Sequence, residues 1–260
     1  MNIEGLADWP QLLILVVVGG IAAGINSVAG GGSLISFPTL TLGFGIPPLP
    51  ANATNSVALW PGSLSGAYGF INLLPATGHH LRALLVPTFV GAVAGSLLLV
   101  YTREEIFEAV VPVLLLVAAT LLAFQPQIKR WALREREELH PTTGMILQLG
   151  VAVYGGYFGA GMGIMMLAAF ALYMKGTIHE INAVKTWLGV VINLVSSVIF
   201  LGKGLIVLWP AIALTIGSIV GGFWAARASQ KIDPERMRLA IAAYGFVTAG
   251  YFAYRTWLAP

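Results

Sequence analysis

Three successive glycines, Gly30, Gly31 and Gly32, followed by Ser33, interrupt a long apolar stretch near the start of the chain. A glycine turn that leads into a helix leaves backbone N–H groups without carbonyl partners and sets the positive end of the helix dipole beside them, a combination that holds anions. The Ser33 hydroxyl adds a donor, and Asn26 and Ser27 place polar groups just ahead of the turn. A sparser run in the second half, Gly159, Gly161 and Gly163, offers the same chemistry. A polar cluster follows each run: Asn52, Thr54, Asn55 and Ser56 after the first, Asn182, Lys185 and Thr186 after the second. These residues open apolar segments, so Asn52 and Asn182 also read as helix N-caps. A cation such as Lys185 in a first helical turn opposes the dipole by roughly 0.3–1 kcal/mol unless an anion or lipid headgroups sit beside it.

The elements that must hold these groups are set by composition. Of 260 residues, 57% are hydrophobic and 10% charged, with a mean hydropathy of +0.83. That places the chain among polytopic membrane proteins, where helix packing and internal polar satisfaction replace a water-driven core. The formal charge of +3 does not signal nucleic acid, because the basic residues, notably Lys129, Arg130, Arg134 and Arg136, lie in short segments between apolar runs. The chain has no cysteine, which excludes disulfides, thiolate metal sites and thiol relays. No cofactor or metal motif is present, and Gly202-Lys203-Gly204 lacks the spacing of a phosphate-binding loop.

Apolar runs fall at about 11–28, 33–44, 52–74, 82–101, 104–124, 143–160, 162–174, 181–202, 206–228 and 236–257. The first, preceded by Glu4 and Asp8 and not by a positive region, reads as a retained helix. Two runs, 33–44 and 162–174, are too short to span a hydrocarbon core about 30 Å thick. A triple glycine at membrane depth is tolerable only where the freed backbone faces protein or a wet cavity. Glycines four residues apart, Gly20/Gly24, Gly62/Gly66, Gly91/Gly95 and Gly217/Gly221, read instead as close helix contacts.

The halves repeat. An ungapped shift of 130 positions aligns Gly20 with Gly150, Gly31 with Gly161, Asn52-Ala53 with Asn182-Ala183, Phe70 with Phe200, and Val90-Gly91 with Val220-Gly221, with both short runs in register. The organisation expected is one transport domain over 1–260, with repeat 1 over 1–128, a basic cytoplasmic linker over 129–140 and repeat 2 over 141–260. If the loops near Arg82, Lys129 to Arg136, and Arg227 to Arg238 are cytoplasmic, each half makes an odd number of crossings. The fold class is then all-α and polytopic. Its two inverted repeats each contain a helix, a short half-helix joined to it by the glycine turn, and three further transmembrane helices, with both termini outside the cytoplasm. Glu135, Glu137 and Glu138 weigh little in that orientation.

The stretch Ala23 to Pro38, with Gly30-Gly31-Gly32 and Pro38, and the segment Ala51-Asn52-Ala53-Thr54-Asn55-Ser56 resemble the signature of the TauE/SafE family of membrane permeases, the sulfite exporter family. The second half is more degenerate, with Gly159-Ala160-Gly161-Met162-Gly163 and no proline equivalent to Pro38. Many relatives carry an acid where this chain has Asn26, so the resemblance does not bring proton coupling through that residue. It implies a transporter, not an enzyme, that exports sulfite or an organosulfonate across the inner membrane by alternating access. Its partners would be that small sulfur-containing anion and the lipid bilayer, with homo-oligomerisation left open. Rival readings are a proton-coupled uptake permease using His179 or Glu180, an anion channel, and an intramembrane enzyme, for which no catalytic cluster stands within the spans. His179 and Glu180 read as residues of the loop before a helix. His79 and His80 read as interfacial loop residues, and Trp9, Trp60, Trp209, Trp224 and Trp257 as interface anchors or packing residues.

Overall fold

A computed structural model of the chain describes residues 9–28, 31–68, 71–134, 140–174, 177–228 and 234–258. Glu4, Asp8, Gly30, Phe70, the linker residues Glu135 to Glu138, and Lys231 lie outside the described residues. Among those described, the helices are α1 (Trp9–Val28), α2 (Ser33–Pro38), α3 (Pro48–Tyr68), α4 (Leu74–Tyr101), α5 (Glu104–Ala123), α6 (Gln125–Arg134), α7 (Pro141–Tyr157), α8 (Met162–Tyr173), α9 (Ile178–Gly202), α10 (Leu208–Ala228) and α11 (Pro234–Ala253). The protein is all-α and polytopic. Four spans, Trp9–Asn26, Pro75–Tyr101, Glu104–Ala123 and His179–Gly202, are long and apolar enough to cross a bilayer. α2 runs on through a π-helical turn, Thr39–Gly43, so the apolar half-helix covers Ser33–Gly43 and ends where the sequence expects it to.

Several boundaries differ from the sequence reading. α3 starts at Pro48, because proline fits the first helical turn, where its missing N–H has no partner to lose. α4 starts at Leu74, which puts His79 and His80 inside a helix with their rings 3.8 Å apart, not in a loop. α9 starts at Ile178 through a capping box. Thr177 Oγ1 accepts from the Glu180 N–H at 3.3 Å, and the Glu180 carboxylate accepts from the Thr177 N–H at 2.6 Å. His179 and Glu180 therefore stand in the first turn of α9 and not in the loop before it. α6 covers part of the stretch read as linker.

Packing crosses between the halves. α1 lies against α10 while α7 lies against α4; α3 and α9 pack on each other, and so do α5 and α11. At the offset of 130 residues α5 superimposes on α11 end to end, so the element boundaries repeat as the sequence does. Small residues make the crossings close. A Cβ on Gly217 would stand 1.9 Å from the Val16 carbonyl oxygen, and one on Gly221 would stand 2.2 Å from that of Gly20. In the other pair, a Cβ on Gly95 would stand 2.0 Å from the Val153 carbonyl oxygen. Backbone cannot yield there as a side chain can. Gly217→Ala is accordingly expected to lower the thermal unfolding midpoint in detergent sharply. Gly150→Ala, with open space around it, should leave that midpoint unchanged or higher.

α5 shows how sequence places the core. Phe107, Val111, Leu115, Ala118 and Leu122 are fully buried at spacings of three and four, while Ile106, Val113 and Leu116 on the opposite face are about half exposed. An apolar outer face of this kind suits lipid, not water. At its C-terminal end α5 meets Arg238 of α11, which is 6% exposed and donates from Nη1 to the Ala123 carbonyl at 3.3 Å. A cation there complements the negative end of the helix dipole.

Candidate functional site

The buried stripe of α5 carries both glycine turns. A Cβ on Gly31 would meet Leu122 Cδ2 at 2.8 Å, and one on Gly161 would meet Ala118 Cα at 3.3 Å. Those two α5 residues are one helical turn, about 6 Å, apart. Phe37 of α2 completes the junction with an edge-on contact to Phe158, ring centroids 5.4 Å apart. Equivalent turns from the two halves thus lie side by side. Gly32 is a packing glycine within its turn, since a Cβ on it would press to 2.1 Å from the Ala22 carbonyl oxygen of α1.

In the second turn the backbone groups are sorted by polarity. Gly159 and Gly161 both take left-handed conformations, φ +80 and +79, that L side chains resist. The Tyr154 carbonyl accepts from the N–H groups of Phe158 and Gly159, that of Gly159 from Met162, and that of Gly161 from Ile164 and Met165. Side chains cover further carbonyls. Asn52 Nδ2 of α3 donates to Tyr157 at 2.9 Å and the half-buried Tyr154 hydroxyl to Ala160 at 2.6 Å, while Ser96 of α4 donates to Ser196 Oγ at 2.8 Å and stands 3.4 Å from the Gly156 carbonyl. By contrast, no carbonyl among the described residues accepts from the backbone N–H of Ala160, Gly161 or Gly163. Lys185 comes to the same place from α9, its Cδ 3.9 Å from where a Gly163 Cβ would stand. The turn therefore offers backbone donors beside the Lys185 stem, while most of its carbonyls are occupied.

The start of α3 links both turns. Asn52 and Asn55 share a face at i, i+3. Asn52 reaches the carbonyl of Tyr157, and Asn55 Oδ1 accepts from Ser36 of α2. Thr54 accepts from the Val207 N–H at 3.0 Å. Ser56 and Thr186 occupy corresponding places, donating to the carbonyls of Asn52 at 2.9 Å and Asn182 at 2.7 Å. Asn26 Nδ2 donates to Ser63 at 3.4 Å, joining α1 to α3.

The family model for the sulfite exporter TauE/SafE matches residues 15–252. The chain belongs to that family. A probable membrane transporter protein of Haemophilus influenzae is 26% identical over 243 residues, covering 94% of both chains. The probable membrane transporter protein YfcA of Escherichia coli K12 is 26% identical over 246 residues, 94% of this chain and 91% of its own. The probable membrane transporter protein ORF9 of a Sinorhizobium species is 27% identical over 237 residues, 89% and 90% of the two chains. No solved structure matches the chain. This TauE/SafE protein is accordingly a membrane transporter and not an enzyme.

Two expectations about its polar clusters need correction. Asn52 and Asn182 are not N-caps: each stands a full turn inside its helix, α3 beginning at Pro48 and α9 at Ile178. For the same reason Lys185 lies two turns into α9, beyond the reach of the dipole penalty that drew attention to it. Its place beside Gly163 is the stronger reason to consider it. Of the expected site residues, Gly31, Gly32, Gly159, Gly161, Gly163, Asn52, Asn55 and Lys185 gather at the two turns. Ser33 is half-buried at the head of α2, while Gly30 and the Ser27 side chain lie outside the description. Sequence reasoning missed Tyr154, Ser96 and Gln148. Gln148 is fully buried and donates from Nε2 to Thr88 at 2.9 Å, joining α7 to α4.

Proposed function

We propose that this TauE/SafE protein exports a small anion, sulfite or an organosulfonate, across the inner membrane by alternating access at the paired glycine turns. The observation that carries the proposal is the sorting at the second turn, where N–H groups without carbonyl partners among the described residues stand beside the Lys185 stem while most of the neighbouring carbonyls are covered. Such a site attracts anions and repels cations. Glu180, spent on the capping box, leaves a proton-coupled route little support. Outward movement of each negative charge gains about 2.3 kcal/mol per 100 mV when the cytoplasm is negative, so a potential-driven uniporter suffices. Sulfite flux into liposomes should saturate with concentration and follow an imposed potential. Flux that never saturates would indicate a channel, and flux set by a pH gradient would indicate coupling.

The inverted arrangement is part of this reading and is supported by which helix ends meet, while the placement of both termini outside the cytoplasm rests on the basic loops. The end of α9 meets the end of α4, with Lys203 Nζ 5.7 Å from the Tyr101 ring centroid. Nearby in the chain, Trp257 donates to the Ala109 carbonyl at 3.2 Å. Arg238 and Ala123 meet at the opposite end of α5. Cysteine at the exposed Arg103 should react with an impermeant thiol reagent from outside, and cysteine at the exposed Arg130 only after permeabilisation. Labelling of both from one side would sink the odd-crossing scheme.

A further inference from the structure

Asn52 is 1% exposed, and its Oδ1 has no hydrogen-bond partner among the described residues. The orientation of the carboxamide is fixed, because Nδ2 donates to the Tyr157 carbonyl and a flipped amide would set two acceptor oxygens against each other. This acceptor is therefore left unpaired beside the second turn, whose Ala160, Gly161 and Gly163 N–H groups have no carbonyl partners among the described residues. A ligand made only of anionic oxygens would leave this acceptor unpaired and facing negative charge, and a buried unpaired polar atom is costly. We propose that the transported species is a monoanion carrying its own hydrogen-bond donor, with its oxygens at the open N–H groups and its donor on Asn52 Oδ1. A singly protonated oxyanion and a sulfonate bearing a hydroxyl or amino group both have this chemistry. The inference rests on the anion reading above and narrows it.

The test compares 2-hydroxyethanesulfonate with propane-1-sulfonate, which puts a methyl where the first has its hydroxyl, by titration calorimetry on the purified wild-type protein. The hydroxyl compound should bind about five- to a hundredfold more tightly, the discrimination expected when one ligand leaves a buried acceptor unpaired. Asn52→Leu, checked for folding by its elution volume, should bring the two affinities within about twofold of each other. Equal binding of both compounds by the wild-type protein overturns the assignment of Asn52 and leaves the anion reading intact. Binding of neither, with sulfite also failing to bind, overturns both. Competition between hydrogensulfite and 2-hydroxyethanesulfonate then separates the two sources of the donor. The wild-type comparison decides the matter even if the variant does not fold.

Discussion

Lys185→Met is expected to weaken binding of the transported anion about ten- to a hundredfold, as loss of one charge-assisted contact would. Methionine keeps the length and apolarity of the stem that lies over Gly163, so packing in the first turn of α8 is preserved while the charge is deleted. Lys185→Arg should restore part of the affinity, since charge returns but the planar guanidinium is bulkier than an ammonium. Calorimetric titration of the purified variants with sulfite provides the measurement. Wild-type affinity in the methionine variant would place the ammonium outside the site and leave the site to backbone donors and hydroxyls.

The second large effect separates two glycines that the repeat treats as equals. Gly161 is held at φ +79, where alanine costs about 1–2 kcal/mol, and a new Cβ would also press on Ala118 of α5. The strain is relieved by rotating the turn, which redirects the open N–H groups. Gly161→Ala should therefore cut transport to less than about a tenth in liposomes while folded yield persists, because 1–2 kcal/mol is small against ordinary stability. At Gly31 the nearest obstacle is the end of the Leu122 side chain, which can swing away, so Gly31→Ala should keep most of its flux. Equal loss at both positions would show that left-handed geometry is irrelevant to the site.

The architecture was legible wherever it rests on run length and offset. The half-helices at 33–43 and 162–173 follow from short apolar runs beside glycines, and the bounds of α5 and α11 match at the 130-residue offset seen in the sequence. Helix starts were harder to read. Pro48 and Pro50 look like breakers but serve as first-turn residues, and the run Thr177-Ile178-His179-Glu180, a capping-box pattern, was the signal for the start of α9. α6 escaped notice because Lys129, Arg130 and Arg134 read as loop charge, although Ile128 of the same helix packs against the core. Tyr154, Ser96 and Asn52 serve the turn through contacts with residues up to 105 positions away in the chain, and no local pattern announces such partners. The conformational difference between Gly31 and Gly161 is likewise a property of backbone angles that residue identity does not record.

The crossing of α1 onto α10 has a consequence for synthesis. α10 begins about 180 residues after α1 ends, which at about 5–20 residues per second is a delay of roughly 10–40 s. Throughout that interval the small-residue groove of α1, Gly19 and Gly20 with the Val16 carbonyl, lacks the helix shaped to fill it. Lipid or a membrane chaperone must cover it in the meantime. Neither half can mature alone, and the nascent chain commits to its final packing only once α10 has left the ribosome.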